Sequence, residues 1–127
     1  MIKILLLIGL LSATIYADIT PKIYFELEIK AQELTIEGQK KRLVCMQNSC
    51  PMSEQYQIDG DYQTKIFDIY EKEGTTPSKI AAYYTHNYKA IDAYLENDEI
   101  LKSQLNELTQ TYEETSQEIR AQVEAQQ

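Results

Sequence analysis

Two cysteines and two methionines crowd one short stretch, Cys45-Met46-Gln47-Asn48-Ser49-Cys50-Pro51-Met52. Thiolates and thioethers are soft ligands, and a loop that converges them suits Cu(I). In an oxidising compartment the same two sulfurs close a disulfide instead. The spacing is not the C-x-x-C of a thioredoxin-type centre, and no neighbouring charge stands ready to activate a thiolate. We therefore expect a Cys45–Cys50 disulfide that staples a junction between two helices. So short a loop stabilises by roughly 2 kcal/mol, and it fixes local geometry more than global stability. A soft-metal or redox-responsive carrier built on Cys45, Met46, Cys50 and Met52 is the alternative reading.

The other residues of chemical interest are isolated. His86 is the only histidine, whereas a structural zinc site recruits several His or Cys. On a helix it has Ala82 and Ala90 at i±4 and Lys89 at i+3, so no acid holds it as a base. Asp59-Gly60-Asp61 resembles the start of a calcium loop, but Tyr70 stands where the closing Glu of that template belongs. A turn or kink explains the triplet better. The adjacent acids Glu113-Glu114 and Asp98-Glu99 point apart on a helix. The chain also lacks a nucleophile elbow, a glycine-rich phosphate loop and a haem-attachment motif. We expect no enzyme, no cofactor and no resident metal.

The first seventeen residues read as a secretory signal. Lys3 supplies a positive start, Ile4 to Leu11 an apolar run, and Ser12 to Ala17 a small-residue exit. The run is far shorter than the ~20 residues of a membrane span. We place cleavage between Ala17 and Asp18, which leaves no stable membrane anchor and sends residues 18–127 to the periplasm or outside the cell. The remainder is one small domain, large enough for a single thin core. Loss of Lys3 moves the formal charge from −8 to −9. Without a basic stripe, nucleic acid and anionic membrane are disfavoured as partners; a basic partner, or simple solubility, fits better.

Which elements carry these residues? Pro21 to Leu43 is ambiguous. Ile23, Phe25, Leu27 and Ile29 alternate with Tyr24, Glu26, Glu28 and Lys30, a strand-like period of two. Against that, Glu26–Lys30 and Glu37–Lys41 have the helical i,i+4 order, and Thr20-Pro21 reads as a helix start. Helix is the expectation, with Ile23, Leu27 and Leu34 on one face and Phe25, Ile29, Ile36 and Leu43 on the opposite one. Such a helix must be covered on two sides. Ser53 would cap a short turn through Ile58, and a further helix from Tyr62 would end at Gly74. Thr76-Pro77 opens the next, with a stripe of Ile80, Tyr84, Tyr88, Ile91 and Leu95.

No Gly or Pro follows Pro77. Leu101, Leu105, Leu108, Tyr112, Thr115 and Ile119 recur with the a/d rhythm of a coiled coil. An unbroken helix from Pro77 would be a rod of ~75 Å, so either it folds back near Asn97-Asp98 or its end projects. The expected fold is all-α: a bundle of three or four helices, with residues 18–96 as the core and 97–127 as a coiled-coil-like arm. Leu101, Leu105, Leu108, Tyr112 and Ile119 are the expected partner-binding seam, for another protein or a second copy. The functional expectation is an exported interaction module: an assembly subunit, adaptor or chaperone-like factor of the cell envelope.

Overall fold

The structure is a computed structural model that describes residues 18–127. The expected signal segment, with Ala17, lies outside the described residues; Asp18 beyond the expected cut is exposed. The fold is all-α, a small helical bundle without a strand among the described residues. Its elements are α1 (Pro21–Gln47), α2 (Met52–Lys72), α3 (Pro77–Glu96) and α4 (Glu99–Ala125). None of them is long and apolar enough to cross a membrane.

Capping chemistry sets most of the boundaries. The hydroxyls of Thr20 and Thr76 accept from Ile23 N at 3.3 Å and Lys79 N at 3.2 Å, with Pro21 and Pro77 in the first helical position. These are the side-chain acceptors that the orphan N–H groups of a first turn need. Gly74, at φ 69, ends α2 in a Schellman motif, in which Gly74 N donates to Glu71 O and Thr75 N to Tyr70 O. Asp98 accepts from Leu101 N at 3.0 Å and starts α4, so the long apolar rod breaks at Asn97-Asp98 and folds back.

Two local expectations are corrected. Asp59-Gly60-Asp61 is neither turn nor kink but continuous helix, with Gly60 carbonyl accepting from Thr64 Oγ1. Pro51, not Ser53, occupies the cap position of α2, without a side-chain bond. An extended Pro51 suffices to start the helix, so Ser53 falls inside the first turn.

α1 is the central column and packs mainly on α2 and α4. α2 runs antiparallel to it, since Tyr62 bonds Glu37 and Arg42 pairs with Asp59, while Leu27 clusters with Tyr70. α4 runs parallel to α1, pairing Ser116 with Gln39 and Gln126 with the carbonyl of Met46. Residues 97–127 thus lie along the bundle and do not stand away from it. α3 crosses the N-terminal end of α1, from Ile80 beside Leu27 to Tyr94 stacked on Phe25 at 5.8 Å. It bends at Asn87, whose Nδ2 donates to Tyr83 O and so occupies the carbonyl that the helix ladder would use. Ile80 and Ile91 are buried on either side of this bend, whereas Tyr84 and Tyr88 between them are exposed.

The α1–α2 contact is close at Gly38. The Tyr62 ring lies on the glycine, its hydroxyl donates to Glu37 at 2.8 Å, and Lys65 and Lys41 stand over the ring at 4.4 and 5.3 Å. A Cβ on Gly38 would meet Tyr62 Cγ at 2.8 Å, whereas one on Gly60 would meet nothing within 4 Å. Gly60→Ala should therefore stabilise by ~1 kcal/mol through helix propensity alone. Gly38→Ala gains the same propensity but overpacks the ring, and should destabilise by a net ~1–2 kcal/mol in urea titration. Equal stabilisation by both would overturn the close-packing account.

Candidate functional site

Three places compete as the functional surface: the cysteine junction, the α4 seam and the open side of α1. At the junction Cys45 and Cys50 are joined as a disulfide, with Cα atoms 5.2 Å apart, a usual separation for the bond. The helix end explains the spacing. Cys50 N donates to Cys45 O at 3.0 Å and Ser49 N to Met46 O at 3.0 Å, which is a second Schellman motif. Cys45 and Cys50 occupy the two positions where that motif usually makes an apolar contact, and here the contact is covalent. Ser49 takes the left-handed position, at φ 56, where glycine is the ordinary occupant.

Of the residues considered for a soft metal, Cys45 and Cys50 are held together by the disulfide. Met46 is buried at 2% exposure while Met52 is 56% exposed. A carboxylate oxygen of Glu54 joins the sulfurs instead, with all three ligand-type atoms within 4.8 Å of one another. The closed disulfide offers no thiolate to an ion. His86 is exposed on α3, away from this cluster.

The α4 seam is turned toward α1. Thr115 is buried, Leu101, Leu105, Leu108 and Ile119 are half-buried, and Tyr112 keeps 39% of its surface. Most of the apolar rhythm that marked this helix is thus satisfied within the chain.

Between α2 and α4 the third side of α1 stays open. A groove of about 410 Å³ runs over Thr35, Gly38 and Gln39, walled by Tyr62, Ile66 and Phe67 of α2 and closed at one end by Pro77. Phe67 is 50% exposed there. Two polar atoms beside the floor are buried without a hydrogen-bond partner: the side-chain carbonyl of Gln39, whose amide donates to Ser116, and Nε of Arg42. Arg42 keeps one pairing, Nη1 to Asp59 at 3.6 Å.

No family model, curated protein or solved structure matches this chain. The functional reading therefore rests on the geometry above. Sequence reasoning missed the groove because its floor carries no apolar or catalytic signal. Gly38, an interior helical glycine beside Thr35 and Gln39, was the available sign of close approach by another element.

The junction yields a paired expectation. Cys45→Ser combined with Cys50→Ser should lower stability by roughly 2 kcal/mol, since a loop this short limits the chain-entropy gain. Ser49→Gly in the oxidised protein should raise it by about 0.5–1 kcal/mol by relieving the left-handed serine. Thermal melts with and without reductant check both. A melt insensitive to reductant would show that the disulfide carries no stability.

Proposed function

We propose that this protein is an exported, non-catalytic interaction module of the cell envelope. In this reading it seats an apolar helical segment of a partner protein in the groove between α2 and α4. The observation that carries the reading is the half-exposed Phe67 ring beside the Gly38 floor, in a groove with apolar walls. A helix is the occupant that fits, because the same cleft already receives one: α3 bridges it at the N-terminal end of α1, and Pro77 of α3 forms the near end of the groove. Grooves of this kind take the i, i+3, i+4 face of an amphipathic helix.

A photoreactive residue at Phe67, introduced into the exported protein in cells, tests the proposal, with the same residue at exposed Glu33 as the control. We expect a crosslink at position 67 that mass spectrometry maps to a segment of another protein with helical apolar spacing, and no such adduct at position 33. Adducts only with a second copy of the chain would replace the partner helix by self-association. Equal labelling at both positions would overturn the groove.

A second reading, the metal or redox carrier, has one observation in its favour, the convergence of Glu54 on Cys45 and Cys50. A ligand set of two thiolates and a carboxylate is harder than Cu(I) prefers and nearer to what Zn²⁺ accepts. Native mass spectrometry of the reduced protein with each ion separates the cases. Stoichiometric uptake that Cys45→Ser abolishes would favour the carrier; no uptake by the reduced protein would remove it.

A further inference from the structure

Glu28 stands out among the charged groups. It sits on α1 where the other three helices approach, is half-buried, and makes no hydrogen bond or ion pair with the described residues. Burial holds its carboxyl above the usual carboxylate range. Cavities open on both sides of it. One, of about 370 Å³, is lined by Tyr24, Tyr70 and Tyr84 with Ile80. The other, of about 350 Å³, is lined by Ala31, Thr35 and Tyr112. Every helix thus contributes a tyrosine around one carboxylate.

Burial is the main influence on the ionisable groups there, with the negative charge of Glu28 second. Tyr24 is pushed up to about 12 by burial, then by the negative charge of Glu28, with Tyr84, Tyr70 and Asp92 adding to it. Tyr70 is raised by burial and by Glu28. The Tyr24 and Tyr84 rings stack with centroids 5.9 Å apart and form an aromatic wall. A half-buried carboxylate without a cation carries part of a desolvation cost, and the faces of tyrosine rings attract cations. No Lys or Arg among the described residues lines either cavity. A hard divalent ion would require about six oxygen ligands, more than one carboxylate and a few phenols supply.

We infer that the Glu28 pocket, walled by Tyr24, Tyr70 and Tyr84, binds an organic ammonium group, supplied by a free alkylamine or by a lysine side chain of a partner. The carboxylate and phenol oxygens accept from the N–H groups, and the rings cover the alkyl stem. This site adjoins the groove over Gly38, sharing Tyr70, Pro77 and Thr35 with its lining, but does not depend on the helix proposed there.

The test is a titration of the purified exported protein, followed by NMR of the tyrosine ring resonances. The probes are n-butylammonium and N-acetyl-lysine amide, with n-butanol and sodium chloride as neutral and ionic controls. We expect saturable shifts with the ammonium probes and none with the controls. Glu28→Gln should weaken binding by about tenfold or more, the scale of one lost charge-assisted contact. That variant should keep its helical circular dichroism, because burial already disfavours the charge it removes. Tyr84→Leu, at an exposed ring, should also weaken binding and provides a second variant if Glu28→Gln does not fold. Tighter binding of the lysine amide would identify a partner's lysine as the source; tighter binding of butylammonium would identify a free amine. Absence of saturation, or undiminished binding by Glu28→Gln, would overturn the site.

Discussion

Neither apolar face of α1 can be left bare, and that constraint organises the molecule. Leu27 faces one way and Phe25, Ile36 and Leu43 the other, and all four are buried. A helix with apolar residues on two faces gains little from one neighbour, because either face alone would remain in water. α2 covers the first face by turning back at Pro51, an antiparallel arrangement that a tight junction permits. α4 covers the second and runs parallel to α1, and parallel neighbours require a crossing connection. α3 is that connection: it starts and ends near the N-terminal end of α1, and its bend at Asn87 lets it pass from one side of α1 to the other.

The turn between α1 and α2 shows how covalent and hydrogen-bonded structure reinforce one another. A Schellman end already brings its third residue from the cap and its second residue beyond it together, usually through an apolar contact. Placing cysteines there locks a geometry that the backbone adopts anyway, so the bond imposes little rearrangement. It also holds Ser49 in a conformation that a serine disfavours by roughly 1 kcal/mol. The carbonyl of Met46 sits within this turn and accepts from Gln126 on α4, so the disulfide junction is also where the parallel helix is anchored.

Much of the fold was legible in local chemistry. Thr20-Pro21, Gly74 and Thr76-Pro77 marked the boundaries they form, and the two apolar faces of α1 announced that it needed covering twice. Asn97-Asp98 left a choice between cap and surface that only tertiary packing could settle, because Asp98 can cap a helix and can equally stand on one. Asp59-Gly60-Asp61 misled because these residue types favour turns in isolation; Tyr62 and Ile66 beyond it, packed toward α1, keep the helix continuous through the glycine. The seam of α4 was read correctly as an apolar stripe, but periodicity does not say which surface covers a stripe. The sites were far less legible. Glu28 reads in sequence as one acid of a helical surface, and its burial among tyrosines from four helices is a property of the assembled bundle.

The open groove follows from the same constraint that builds the bundle. Two helices against α1 leave a wedge between them, and closing it would take a further helix along its length. Among the described helices the remaining one serves as the crossover, so it fills the wedge at one end and leaves Thr35 and Gln39 partly exposed at the other. Gly38 deepens the wedge further, since it lets Tyr62 sink against the α1 backbone. The uncovered surface is therefore not an accident of a loose core. It is what remains when a two-faced helix is covered by one antiparallel and one parallel neighbour among the described helices.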